Sequence, residues 1–281
     1  MPSFISYAKI NLGLQILNKR DDNFHNLHSI FLEVDLIDEL VFTPSSIYNI
    51  TSEGPASAKL PLDETNLISK AYIAMKKKKN SPHTEYDIHI NKKIPIGSGL
   101  GGGSSNAAAT LIALNNLWDI SLNNYELEQT AKSIGADAPF FIKGGLQLVE
   151  GIGDILSVID PILIKDLIFV LVVPSIHIST AWAYRTLNKT LQPNINRPKF
   201  SPLSEPMNWE LFENDFERVI HETYPEIGEI KANLNNSEAL YTGLSGSGST
   251  VFGVFDNLQK AETILEKFNQ YQTFLTSPVF R

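Results

Sequence analysis

The sequence predicts an α+β protein of two domains, residues 1–155 and 156–281, and three observations carry that prediction. The chain has 281 residues, 43% of them hydrophobic, which is enough to bury the core of one large or two modest domains. Up to about residue 155, strand-like alternation is mixed with helical periodicity. Beyond it, once an extra helix at 207–222 is set aside, the order is βαββαβ, the split-βαβ arrangement of ferredoxin-like domains.

Each element has its own signal. In SYAKINLGLQI, Ala8, Ile10, Leu12, Leu14 and Ile16 alternate with Tyr7, Lys9, Asn11 and Gln15, which predicts a half-buried strand with Lys9 on its solvent-facing side. Strands are also predicted at HSIFLEVDLIDELVFT (28–43) and TEYDIHIN (84–91), with a helix around NLISKAYIAMKKKK (66–79) between them. The run KKKKN at 76–80 reads as the solvated, dipole-favoured end of that helix. SSNAAATLIALNNLW (104–118) has serine caps and Ala107, Leu111, Leu114 and Trp118 on one face. NNYELEQTAKSIG has Asn at its start and Gly135 at its stop. The second part reads as a strand at 167–173, a helix at 179–190, and a loop at 192–206 that carries four prolines. Helices through 236, the strand-like YTGLSGSGSTVFGVF (241–255), and a last helix and strand complete it.

Composition excludes several classes of function. A net charge of -8 and a pI of about 5.3 give no general affinity for nucleic acid or anionic membrane. The absence of cysteine removes disulfides, thiolate metal sites and thiol nucleophiles together. MPSFISYAKINLGLQ lacks the basic flank and apolar stretch of a signal peptide, and the aliphatic run at 167–173 is far short of the roughly 18 residues a membrane helix needs. The expectation is a cytoplasmic protein.

The most informative stretch is PIGSGLGGGSSNAAATL, residues 95–111, with five glycines between 97 and 103. Gly97, Gly99 and Gly102 satisfy the dinucleotide pattern G-x-G-x-x-G, but the candidate ribose acid, Asp119, follows a continuous helix with no strand before it, so a nicotinamide oxidoreductase is set aside. No Lys-Ser or Lys-Thr pair follows the last glycine, so the classical P-loop fails too. The shared physics remains: glycines let backbone N–H groups converge on an anion, and the helix beginning near Ser104 adds its partial positive charge. Ser104 and Ser105 can cap that helix, bind phosphate oxygens or hold a metal's water shell. A second glycine-rich turn, LSGSGST at 244–250, carries Gly246, Ser247 and Gly248; it suits either a plain turn or a second phosphate site that closes over the first.

PIGSGLGGGSSNAA resembles the nucleotide-binding motif of the GHMP small-molecule kinases, and AKINLGL and LSGSGSTVF resemble that family's first and third motifs, in the right order. The likeness runs from near residue 4 to about 255. It implies the family's two-domain fold: an N-terminal α/β domain like the second domain of ribosomal protein S5, and the C-terminal ferredoxin-like βαββαβ domain. The wording AKINLGL, NFHNLHSIF, GLGGGSSNAA, GADAPFF and SGSGS is most similar to the branch whose acceptor is cytidine diphosphate-linked methylerythritol, in non-mevalonate isoprenoid precursor biosynthesis. A smaller alcohol, of the homoserine or mevalonate type, is the alternative within the family.

The resemblance implies roles for residues that the sequence alone leaves open. ATP, with Mg2+, is expected at Pro95, Ile96, Gly97, Ser98, Gly99, Leu100, Gly101, Gly102, Gly103, Ser104 and Ser105, with Asn66 toward the adenine; as a helix N-cap, Asn66 needs no ligand. Asp137 of GADAPFF is implied as the base for the acceptor hydroxyl, although a residue just past a helix stop is otherwise a cap or turn. Lys9 is implied to keep Asp137 ionised and to stabilise charge on the transferring oxygens. Acceptor contacts are implied for Asn11, Phe24, His25, Tyr184, Gly246, Ser247 and Gly248. Where the family's segment reads Gly-Tyr-His, this chain has Asn23, Phe24 and His25, which keeps the aromatic face and loses the phenol. His25 and Tyr184 are each equally readable as packing residues.

Overall fold

A computed structural model describes residues 1–22, 24–78, 84–187, 200, 203 and 205–281. In chain order its first part holds β1 (Ser3–Lys19), β2 (His25–Ser45), β3 (Asn49–Glu53), α1 (Leu67–Lys76), β4 (Glu85–Asn91), α2 (Gly102–Leu117), α3 (Asn124–Lys132) and α4 (Phe140–Lys143). There follow β5 (Leu146–Glu150), β6 (Ile155–Val158), β7 (Ile168–Val173), α5 (Thr180–Leu187), α6 (Phe216–Thr223), α7 (Pro225–Asn235), β8 (Tyr241–Leu244), β9 (Val251–Phe255), α8 (Leu258–Leu265) and β10 (Gln272–Thr276). The chain forms two compact units: one of Met1–Ala8, Leu36–Ile96 and Gly101–Gly144, the other of Lys9–Asp35, Gly97–Leu100 and Gly145–Arg281.

In the first unit, the later half of β2 pairs antiparallel with β4 from Glu39↔Asn91 to Ser45↔Glu85, and β3 pairs with β4 in parallel. Helix α2 is apolar nearly all round: Ala107, Ala108, Leu111, Ala113 and Leu114 are fully buried, as a helix without a wet face must be. Its alanines let α1 pack closely alongside. Tyr72 of α1 meets Trp118 edge-on at 5.2 Å, and the Trp118 indole donates to the carbonyl of Thr84 at 2.8 Å. Helix α3 starts on a full capping box between Asn123 and Glu126.

In the second unit, the first half of β2 pairs with β5, and β5 with β6, all antiparallel. Four further strands form a sheet in the order β10-β7-β9-β8 with every pair antiparallel, which is the 4-1-3-2 order of the ferredoxin-like arrangement that the sequence predicts. Its core combines Val170, Val172, Val251 and Phe255 of the sheet with Phe216, Ile220, Ile230, Leu234 and Ile264 of the helices, joined by Leu14 and Ile16 of β1.

Two expectations change. Strand β1 is buried on both faces, not one: Lys9, Asn11 and Gln15 are as enclosed as Ile10 and Leu12. Its polar set faces a polar interior, where Lys9 and Asn11 bond to each other and Asn11 to Ser29, so Lys9 is not solvent-facing. Helix α2 begins at Gly102, not near Ser104, because Gly101 takes the N-cap position in the left-handed region (φ 69°). Ser104 and Ser105 therefore lie within the first turn and cap nothing. Lys76 and Lys77 do end α1, while Lys79 and Asn80, Asn23, residues 188–190 and most of the proline-rich 192–206 segment lie outside the described residues.

Candidate active site

Within the second unit the two glycine-rich turns are bonded to each other. Ser245 Oγ donates to the Gly99 carbonyl at 2.9 Å, and the Thr250 N–H donates to the Ser98 carbonyl at 3.0 Å. The approach leaves no room for side chains: a Cβ on Gly99 would lie 2.1 Å from the Ser245 carbonyl oxygen. Along the first turn, Gly97, Gly99 and Gly101 have φ of 68°, 85° and 69°. Left-handed residues at every second position make a run of N–H groups that can converge on an anion. Lys9 of β1 joins this turn through its backbone, its N–H donating to the Leu100 carbonyl at 2.9 Å.

The Lys9 side chain is 3% exposed, with Nζ 2.5 Å from Asn11 Oδ1 and 4.5 Å from the centre of the Phe31 ring. The Asn11 amide donates to Ser29 Oγ, which donates to the Gly13 carbonyl. A Cβ on Gly246 would lie 3.5 Å from Asn11 Oδ1, so the second turn reaches the Lys9–Asn11 pair as well. Ser247 Oγ lies 2.9 Å from Thr180 Oγ1 at the start of α5. One turn further along α5, Tyr184 stacks on His25, with ring centroids 5.5 Å apart and planes inclined by 23°. His25 is buried, and its Nε2 finds no hydrogen-bond partner among the described residues. Phe24, beside it, is 58% exposed. Lys9, Asn11, Gly99, Gly246 and Ser247 thus gather in one place, and His25 and Tyr184 meet each other.

Within the first unit, α2 opens with Gly102, Gly103 and Ser104, where its free N–H groups and positive dipole end lie, while the Ser105 N–H already donates to the Gly101 carbonyl at 2.9 Å. The turn after α3 comes up against this end: a Cβ on Gly135 would lie 3.2 Å from Ser104 Oγ. Asp137 is half-buried in that turn. Asn66 is the N-cap of α1, accepting from the Ile68 N–H at 2.8 Å and donating to the Pro61 carbonyl at 2.6 Å.

Sequence reasoning missed a buried network under this helix start. Asp38 of β2 and Lys92, both essentially unexposed, form an ion pair. The Asp38 carboxylate also accepts from the backbone N–H of Lys93 (2.6 Å) and Ile94 (2.8 Å) and from the Asn106 amide (2.8 Å). A Cβ on Gly102 would lie 2.9 Å from Lys92 Nζ, so the pair lies directly against the first residue of α2. Burial pulls the Lys92 ammonium below the usual lysine range, and Asp38 opposes that pull. An acid inside the apolar run of β2 was the available signal.

The family described as GHMP kinases N terminal domain matches residues 66–145, and GHMP kinases C terminal matches residues 191–272. The chain is 38% identical to a 4-diphosphocytidyl-2-C-methyl-D-erythritol kinase of Chlorobium limicola, over 98% of this chain and 96% of that one. It is 40% identical to a protein of the same name from Azobacteroides pseudotrichonymphae, over 88% of this chain and 91% of that one. A crystal structure of 4-(cytidine 5'-diphospho)-2C-methyl-D-erythritol kinase matches with a TM-score of 0.79 at 27% identity, covering 99% of both chains.

Proposed function

The chain belongs to the GHMP kinase family, and on that premise we propose that it phosphorylates the 2-hydroxyl of 4-diphosphocytidyl-2-C-methyl-D-erythritol with ATP, in non-mevalonate isoprenoid biosynthesis. The observation that carries the reading is likeness to kinases of that name along nearly the whole chain, not at one motif. The division at residue 155 stays part of the proposal; the two family segments, 66–145 and 191–272, lie on either side of it.

The roles follow from what phosphoryl transfer requires, which is positioning, charge neutralisation and an acceptor for the hydroxyl proton. The hydroxyl oxygen forms a bond to the γ-phosphorus as the bond to the ADP oxygen breaks, and Asp137 takes the hydroxyl proton. Lys9 supplies positive charge to the transferring oxygens, and the Asn11 carbonyl holds its ammonium at 2.5 Å. The turn and helix start at residues 97–105 receive the nucleotide's phosphates, through N–H groups up to Ser104, which the left-handed glycines and the free start of α2 support. Asn66 would meet the adenine with its ring of bonds as cap already made, so its contribution is shape and backbone placement.

Phe24, His25 and Tyr184 take the cytosine, which the contact between His25 and Tyr184 and the orphaned His25 Nε2 support. Gly246, Ser247 and Gly248 take the acceptor's diphosphate. Among the described residues no three His, Asp or Glu side chains cluster as a metal cage. Ser104, half-buried in the first turn of α2, would hold a magnesium ion's water shell, whereas Ser105 is only 2% exposed. The ion would supply positive charge that neutralises the phosphates. Also among the described residues, no helix is long and apolar enough to cross a membrane. A cytoplasmic location is part of the proposal.

The test is ADP release measured side by side with 4-diphosphocytidyl-methylerythritol, mevalonate and homoserine. Turnover with the first alone is expected. Turnover with either small alcohol in its place would overturn the assigned acceptor and leave the family intact.

A further inference from the structure

Asn214 lies in the link before α6 and is 4% exposed. Its side-chain amide donates to two backbone carbonyls of the second glycine turn, Leu244 at 2.7 Å and Gly246 at 2.8 Å, and its Oδ1 accepts from the Phe216 N–H at 3.0 Å. The backbone on either side is clamped to β1: the Leu14 N–H donates to the Glu213 carbonyl and the Asp215 N–H to the Leu14 carbonyl, both at 2.9 Å. The donor is therefore fixed to the strand that carries Lys9 and Asn11, and it reaches into the turn that meets them.

The peptide between Gly246 and Ser247 is trans, so its carbonyl and its N–H point in opposite directions. With the Gly246 carbonyl held by Asn214, the Ser247 N–H points away from Asn214. Rotation of this peptide changes ψ of Gly246 and φ of Ser247, and Gly246 (φ 57°), having no Cβ, lowers the energetic cost of that rotation. An anion site cannot accept that freedom, because rotation would present a carbonyl oxygen where a donor is needed. We propose that Asn214 is a positioning residue that locks the Gly246–Ser247 peptide with its N–H toward the acceptor's diphosphate. The proposal rests on the reading of this turn as the diphosphate site.

The experiment measures CDP and ATP binding by calorimetry in the wild type, Asn214→Asp and Asn214→Ser, with wild-type ADP release run alongside. Asn214→Asp keeps the shape and the bond to Phe216 but turns a carboxylate oxygen on two carbonyls. CDP affinity is expected to fall about ten- to a hundredfold, the scale of one hydrogen bond to a charged group, while ATP affinity changes by less than about threefold. A purely structural residue would weaken both ligands together. Should the aspartate variant not fold, Asn214→Ser, which removes the paired donors and adds no charge, is read in the same way. Unchanged CDP affinity in a folded variant, a parallel loss for both nucleotides, or no CDP binding by the wild type would each overturn the proposal. Wild-type turnover with unaltered variant affinity sinks only this inference. Lack of turnover with Asn214-dependent CDP binding sinks only the assigned reaction.

Discussion

Asp137 occupies the turn between α3 and α4, and Gly135, two residues earlier, touches the first turn of α2. A carboxylate there has one chemical task in the proposed reaction, to take a proton, and no part in gripping the nucleotide. Asp137→Asn should therefore lower kcat by about 10² to 10⁴, the usual contribution of a general base, and leave ATP affinity unchanged. Single-turnover kinetics beside equilibrium ATP binding reads both, and an undiminished kcat would remove the assignment. At this scale the sequence was least legible. Lys9 reads as an exposed side chain in its own alternation and is in fact enclosed, because a period of two records two different surroundings without saying that one of them is water. The ion pair of Asp38 and Lys92 joins residues 54 apart, and Asn106 reaches Asp38 across 68, so a local pattern could mark Asp38 as an acid in an apolar strand but not name its partners. Only the family likeness singled out Lys9 and Asp137.

The glycine-rich turn and the helix that follows it were legible as an element, including the need for glycines at left-handed positions. What local signals missed was the helix start. Serine is a good cap, yet a left-handed glycine at 101 turns the chain into the helix sooner and moves Ser104 and Ser105 inside it. The distinction matters, because serines inside the first turn have hydroxyls released from capping. The element also depends on a contact that its own sequence cannot show, the crossing of Gly99 by residue 245. Gly99→Ala would combine a backbone conformation that alanine disfavours with a Cβ 2.1 Å from a carbonyl oxygen. The expected loss is at least about 2 kcal/mol in urea unfolding, within the range for strained backbone at functional sites, together with weaker ATP binding. An alanine variant as stable as the wild type would mean that the two turns do not hold each other.

For the molecule as a whole, element order was the strongest signal. The βαββαβ order predicts the 4-1-3-2 sheet that β7 to β10 form, because antiparallel neighbours and right-handed crossovers leave few alternatives. The paths of β1 and β2 were not legible in the same way. Each contributes to both compact units, and an alternating run carries no mark where its partner changes. At this scale the proposed nucleotide site makes a prediction that does not depend on turnover. A ligand that binds only the folded chain stabilises it by about 2.7 kcal/mol at a hundred times its Kd, which for a chain of this size raises Tm by roughly 5 to 10 °C. If main-chain donors along residues 97–104 grip the phosphates, calorimetric scans should show that rise with ATP and little of it with AMP at equal concentration. Asp137→Asn should retain the full ATP shift, since a proton acceptor takes no part in holding the nucleotide. Equal shifts from ATP and AMP would mean that the base carries the binding and would remove the glycine-rich turn from the role given to it here.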